Sequence, residues 1–267
     1  MELSFQTVNF SPVFGAEVPL PDVLAAASEA GFTRVGLDIW GVEVYLAEGG
    51  GPADLRCLLD DNGLSCTDVM ALPVGPDIEH TLDRARRLAE IVALTDAHVC
   101  GVAFEQGVDP FANEARTTLS RCTDIVADAG ARVALEYLPY SPLPRVAQAR
   151  ALCDDLGCQR AGLLVDSWHT LVGDQLPDIS GIPAAAVTII QFSDALTPLS
   201  GDLHDESRNL RRLPGEGNLR LGDFVQAIRD TGYAGLVSPE VLSTRVRQGS
   251  PLEFARSVRA AMTAYWE

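Results

Sequence analysis

Short apolar runs alternate with amphipathic stretches along the whole chain. Residues 3–10 alternate β-rich apolar and polar positions and predict a first strand. The spacing predicts a helix over 19–30, opened by Pro21-Asp22 and stopped by Gly31. A second strand is expected over 34–40, a helix over 53–62 and a third strand over 64–72, stopped by Pro73. A helix over 77–94, a strand over 97–105 and a helix from Asp109-Pro110 to residue 129 follow. The second half reads as strands over 132–138, 162–166, 187–194 and 235–241. Its helices are expected over 145–156, briefly near 178–183, over 221–231 and over 251–266, with a long polar loop over 197–219.

Eight strands alternating with eight helical segments imply right-handed crossovers and a parallel sheet. In 267 residues this matches a single (β/α)8 TIM barrel filling one domain, 1–267. The rival, a doubly wound open sheet, would carry a Gly-rich dinucleotide turn after strand one. That turn reads Asn9-Phe-Ser-Pro-Val-Phe-Gly15, with no GxGxxG.

Hydrophobic residues at 47% allow a large core, and the net charge of −17 disfavours a nucleic-acid or anionic-membrane partner. No apolar run reaches the roughly 18–20 residues of a membrane span. The N-terminus lacks the basic start and apolar core of a signal peptide, so a cytoplasmic location is expected. Six cysteines sit singly, which predicts reduced, mostly buried thiols. Cys153 and Cys158 are close enough in sequence to face each other across a short loop.

Four consecutive predicted strands end in polar oxygen groups: Glu136, Asp166, Gln191 (with Asp194 beyond it) and Glu240. Charged groups at the end of a buried strand are costly unless partnered. In a barrel, strand C-termini form one mouth, so these four face one site. Three carboxylates and an amide oxygen are hard ligands, suited to Mn²⁺ or Mg²⁺, with Co²⁺ or Zn²⁺ as further possibilities. His169, three residues beyond Asp166, is a candidate for proton transfer or substrate binding, and Trp168 for the pocket wall. Arg211 and Arg212, beside the turn Pro214-Gly-Glu-Gly217, are candidates to grip a substrate carboxylate, phosphate or carbonyl. Asp38, Glu105, His80 and His204 are weaker candidates.

Leu135-Glu136, Val165-Asp-Ser-Trp-His169, Ile190-Gln-Phe-Ser-Asp194, Pro214-Gly-Glu-Gly217 and Ser238-Pro-Glu240 together resemble the xylose isomerase-like TIM barrels, the sugar phosphate isomerase/epimerase-type family. The resemblance runs from about Phe5 to the C-terminus. It implies Glu136, Asp166, Gln191 and Glu240 as metal ligands, His169 as a histidine contacting substrate, and Arg211 or Arg212 as the substrate grip. Epimerising members often carry His-x-Lys-Asp where this chain has Gln-Phe-Ser-Asp. The glutamine form is similar to dehydroshikimate dehydratase-like members. The apurinic endonuclease branch, with its histidine-rich zinc cluster and basic surface, does not fit four histidines and a charge of −17.

The expected chemistry is divalent-metal-dependent removal of a proton beside the carbonyl of a polyhydroxylated ketone or keto-sugar, through a metal-stabilised enediolate. Either Glu136 or Glu240 is expected to take the proton as base, the other returning it or protonating a departing hydroxyl. Reprotonation gives an isomerase or epimerase; loss of a β-hydroxyl gives a dehydratase acting on a hydroxy-keto acid or cyclic ketone. A non-catalytic ligand-binding barrel and a subunit of a larger lyase are the readings outside this chemistry. A homo-oligomer is compatible with an α/β chain of this size.

Overall fold

In the computed structural model, residues 1–267 are described, and they build a parallel barrel wrapped by helices. The strands are β1 (Glu2–Leu3), β2 (Phe5–Gln6), β3 (Arg34–Asp38), β4 (Ser65–Val74), β5 (Val99–Phe104), β6 (Arg132–Glu136), β7 (Ala161–Asp166), β8 (Val187–Phe192) and β9 (Leu236–Pro239). From β3 to β9, each strand pairs in parallel with the next in sequence, which excludes the doubly wound order. Ser4 divides the N-terminal strand in two. Its first half pairs with β9 and its second with β3, so one stretch of chain closes the ring into eight barrel positions.

The helices are α1 (Leu20–Glu29), α2 (Ile39–Ala47), α3 (Pro52–Asp61), α4 (Ile78–Thr95), α5 (Asn113–Asp128), α6 (Val146–Leu156), α7 (Ser167–Val172), α8 (Leu176–Ile179), α9 (Leu203–Asn209), α10 (Leu221–Asp230), α11 (Thr244–Arg247) and α12 (Pro251–Trp266). Several expectations need correcting. The first strand stops at Gln6 and turns into 3-10 segments at Thr7–Phe10 and Pro12–Phe14. Pro73 does not end β4, which runs to Val74. The strand expected over 34–40 ends at Asp38, and the residues after it form α2, which the Asp38 side chain caps by accepting from the Gly41 N–H. The polar loop over 197–219 contains α9, capped by Asp202. The helix after β5 starts at Asn113, four residues beyond Asp109.

Period-2 alternation places the polar strand ends. Val133, Leu135, Leu163, Val165, Ile190 and Phe192 point outward into the core between sheet and helices. Their neighbours Ala134, Leu164, Ile189 and Leu236 fill a layer inside the barrel with Met70 and Val99. Two residues further along, Glu136, Asp166 and Gln191 must point the same way, into the layer above, and Glu240 follows just past β9. The opposite side of the interior is polar. Gln6 donates to Asp68 at 2.7 Å, Thr67 donates to Asp68 at 2.7 Å, and Ser4 lies 2.8 Å from Thr67.

Candidate active site

The barrel brings one ligand atom each from Glu136, Asp166, His169 and Glu240 within 4.8 Å of one another. Asp166 ends β7 and caps α7: its Oδ1 accepts the His169 backbone N–H at 2.9 Å. That cap explains the three-residue spacing. His169 therefore sits on a helix rather than on a loop, with its ring turned back over the mouth. His169 Nε2 is 3.3 Å from Glu136 Oε1. Gln191, paired in register with Asp166, donates Nε2–H to Glu240 Oε1 at 3.0 Å.

Arg211 is the hub of this cluster and is 1% exposed. Its NH1 lies 2.7 Å from Asp166 Oδ2 and 3.0 Å from Glu240 Oε2, and it also reaches the Glu240 carbonyl at 3.1 Å and Ser193 Oγ at 3.3 Å. NH2 meets Ser207 Oγ at 3.0 Å and His169 Nε2 at 3.2 Å, and Nε donates to the Ser207 carbonyl at 2.8 Å. Every guanidinium N–H thus has an acceptor. The guanidinium also lies over the Trp168 ring, 5.4 Å from its centroid. Because a guanidinium can only donate, a neutral His169 accepts at Nε2 and carries its proton on Nδ1.

Arg212 plays a different part. Its backbone exchanges two hydrogen bonds with Asp194, at 2.8 and 2.9 Å, and its side chain is half-buried. The Asp194 carboxylate accepts four backbone N–H groups, from Ala195, Gly215, Gly217 and Leu219. This pins the Pro-Gly-Glu-Gly turn and sets the register that puts Arg211 inward.

Burial and charge act in opposite directions here. Burial pushes the Asp166 carboxyl up, but the Arg211 guanidinium and His169 outweigh it and hold Asp166 below the usual carboxylate range. Burial pushes Glu240 well above that range, with Glu136 and Asp166 adding to the rise and Arg211 opposing it. Tyr140 is pushed up to about 12 by burial. Its OH donates to Ser207 Oγ at 2.8 Å, and its ring meets those of Trp168, His169 and His204 edge-on. Sequence reading missed Tyr140, Ser193 and Ser207. Only the position of Tyr140 just after the Glu136 strand hinted at it.

The donor set fits a divalent cation. Three carboxylates face one guanidinium, which leaves excess negative charge in a buried pocket. Gln191 Oε1 and His169 Nδ1 are buried without a hydrogen-bond partner. An orphaned amide oxygen between Asp166 and Glu240 is what a hard cation would use. His169 is also close enough to contribute, which sequence reading had not assigned to it.

Of the weaker candidates, His204 reaches the Tyr140 ring, and the other three lie elsewhere. Glu105 pairs with Arg84 at 2.7 Å, Asp38 caps α2, and His80 is exposed on α4. All six cysteines are free, Cys153 and Cys158 included. No helix is long and apolar enough to cross a membrane.

A family model described as "Xylose isomerase-like TIM barrel" matches residues 24–262. The chain is 28% identical over 263 residues to a 3-dehydroshikimate dehydratase of Pseudomonas aeruginosa, covering 92% of this chain and 39% of that one. It is 26% identical over 144 residues to an inosose isomerase of Halalkalibacterium halodurans, covering 53% of this chain and 50% of the relative. The chain therefore spans half or less of the length of these relatives. Among solved structures, the IolI protein with a bound zinc atom superimposes with a TM-score of 0.87 at 16% identity, covering 99% and 98% of the two chains. The relatives named here are enzymes, an isomerase and a dehydratase, and this chain belongs to the xylose isomerase-like TIM barrel family.

Proposed function

We propose that the chain is a divalent-metal-dependent enzyme that removes a proton beside the carbonyl of a polyhydroxylated ketone. The observation that carries this reading is the buried cluster of Glu136, Asp166, His169 and Glu240 with the unpartnered Gln191 Oε1 beside it. Glu136, Asp166, Gln191 and Glu240 would hold the ion, with Mn²⁺ or Mg²⁺ as first choice and Co²⁺ or Zn²⁺ next. Bound there, the ion would polarise the substrate carbonyl and stabilise the negative charge that follows proton loss.

The protein's own groups supply the rest. Glu136 lies nearest the mouth, 14% exposed at its side chain, and takes the substrate proton as base. Glu240 returns a proton or delivers it to a departing hydroxyl. His169 stands beside Glu136 at the substrate's edge, its Nε2 accepting from Arg211. Arg211 holds Asp166 and Glu240 in place and lends its charge to the growing negative charge on the substrate. Arg212 and Trp168 frame the pocket. The sequence has no lysine, so activation of the carbonyl as a Schiff base is closed to this chain.

Return of the proton makes the enzyme an isomerase or epimerase. A second reading, dehydration of a hydroxy-keto acid, is favoured by the relative that aligns with 92% of the chain. The test is the purified protein loaded with Mn²⁺ or Mg²⁺ and offered inosose and 3-dehydroshikimate in heavy water. Deuterium uptake without loss of water supports the isomerase, and loss of the hydroxyl supports the dehydratase. No exchange and no turnover with any hydroxyketone would refute both and leave a ligand-binding barrel.

A further inference from the structure

Strand β9 is short, and Glu240 comes just after it ends. On one side, β8 reaches the end of β9. Phe192 pairs with Pro239, and the Glu240 N–H donates to the Phe192 carbonyl at 3.3 Å. On the other side, β1 pairs only with Leu236 and Val237, and the Ser4 N–H donates to the Val237 carbonyl at 3.0 Å. Beyond Ser4 the chain turns away to pair with β3. The Pro239 carbonyl and the Val241 N–H belong to the two peptide groups that flank Glu240. Neither has a strand beside it on that edge, and a buried peptide group left unpaired is costly.

The side chain of Asn9 fills that gap. Asn9 lies in the 3-10 turn at Thr7–Phe10 and is fully buried. Its Nδ2 donates to the Pro239 carbonyl at 3.0 Å and to the Gln6 carbonyl at 2.8 Å. Its Oδ1 accepts the Val241 N–H at 2.7 Å. A carboxamide carries the same donor and acceptor types as a peptide group, so it stands in for the missing strand. Its orientation is fixed by its partners. Carbonyls only accept and an N–H only donates, so a flipped amide would oppose all three. Arg211 adds another hold, from NH1 to the Glu240 carbonyl at 3.1 Å. The Glu240 backbone is therefore gripped on both sides, while its carboxylate stands among those of Glu136 and Asp166, whose like charge pushes it away.

We propose that Asn9 is the positioning residue for Glu240: by clasping the peptide groups before and after it, Asn9 fixes where the Glu240 carboxylate stands in the cluster. This deepens the proposed function, and it rests on that reading only for what Glu240 does once in place. Placement matters there, because a shift of about 1 Å in a reacting group can cost about 100-fold in rate. Tyr233 supplies a comparison at the far end of the same strand. Its OH lies 3.1 Å from the Thr188 carbonyl and 2.9 Å from the Leu236 carbonyl, tying β9 to β8 away from Glu240.

The test compares wild type, Asn9→Ala, Asn9→Ser and Tyr233→Phe in two arms. In the first, amide hydrogen exchange is followed by NMR on ion-free protein. The Glu240 and Val241 amides should exchange roughly tenfold faster or more in Asn9→Ala and as in wild type in Tyr233→Phe. Unchanged exchange in Asn9→Ala would overturn the clasp. In the second arm, calorimetry follows Mn²⁺ binding at a temperature where all four proteins are folded. Asn9→Ala should bind Mn²⁺ roughly tenfold more weakly or worse, the loss typical of a residue that orients a ligand from behind. Tyr233→Phe should match wild type, although it too gives up buried hydrogen bonds. Equal losses in the two variants would reveal a general effect of stability, and full Mn²⁺ affinity in Asn9→Ala would reveal a clasp that does not govern the carboxylate. Either result overturns the assignment. Asn9→Ser, which keeps a hydroxyl, decides both arms if Asn9→Ala does not fold. A wild type that binds no divalent ion would refute the proposed function instead, and the exchange arm would still decide whether Asn9 holds Glu240.

Discussion

At the scale of single residues, the site is a set of carboxylates kept apart by one guanidinium. Replacing Glu240 with Gln keeps the shape and the Gln191 contact while removing a proton carrier. It is expected to cut turnover and solvent exchange by roughly 10²–10⁴-fold, measured as deuterium uptake, with the fold intact. Removing the positive hub should act on stability instead. Arg211→Ala leaves Asp166 and Glu240 facing each other in the dry interior, and should cost about 3–5 kcal/mol in urea denaturation. A second titration lies away from the site. Burial pushes Asp68 from 3.8 up to about 6, against hydrogen bonds from Gln6 and Thr67. The folded chain holds that proton more tightly, so the contribution is fully present below about 3.8 and is lost as pH rises through about 6. The stability difference between wild type and Asp68→Asn should therefore shift against wild type by about 2 kcal/mol between pH 4 and pH 7. A difference flat across that range would contradict the buried-acid account.

At the scale of elements, loop register decides the chemistry. Asp194 pins four backbone N–H groups of the segment that carries Arg211. Asp194→Ala should destabilise by about 1–3 kcal/mol, because one buried and three part-buried N–H groups lose their acceptor, and should weaken binding of the proposed metal as well. Normal metal affinity in that variant would show that Arg211 keeps its place without the turn. Gly217 offers a sharper form of the test, since a Cβ there would collide with the Ala195 carbonyl and the Asp194 carboxylate. Helical segments with clear polar and apolar faces, such as α4, α10 and α12, were legible from periodicity. Segment α2 was not. Its sequence Ile-Trp-Gly-Val-Glu-Val-Tyr-Leu-Ala is apolar all round, so no stripe announced it, although Asp38 stood ready as its cap. Segment α9 hid in a polar loop because it is short and only Glu206 and Ser207 are buried along it.

At the scale of the whole molecule, the net charge and the proposed ion both bear on stability. An ion that binds the folded chain stabilises it by about 2.7 kcal/mol at a hundredfold excess over Kd, which is several degrees of Tm for a chain of this size. Metal analysis of wild type and of Asp166→Ala with Glu240→Ala should find about one ion per chain in the first and none in the second. An unchanged metal content in the double variant would remove these residues from the ligand set. With a net charge of −17 the chain repels itself, so raising salt from low to near-physiological strength should also raise Tm, as screening takes hold within about 10 Å.

The sequence by itself determined the order of strands and helices, and through it the barrel. Those signals are local: an apolar run, a turn, a cap. It also determined which side chains face inward at the mouth, because the two-residue period of a strand carries from Ala134 to Glu136 and from Leu164 to Asp166. Only the tertiary structure decided how those groups are partnered. Arg211 lies 45 residues from Asp166 and 42 from His169, and nothing in a linear pattern separates it from Arg212 next door. One residue of register, fixed by Asp194 and the closure of the ring, sends Arg211 into the carboxylates and leaves Arg212 on the flank. Tyr140 and Ser207 meet across 67 residues for the same reason. Contacts between distant segments depend on how the barrel brings its loops together, and periodicity carries no information about that.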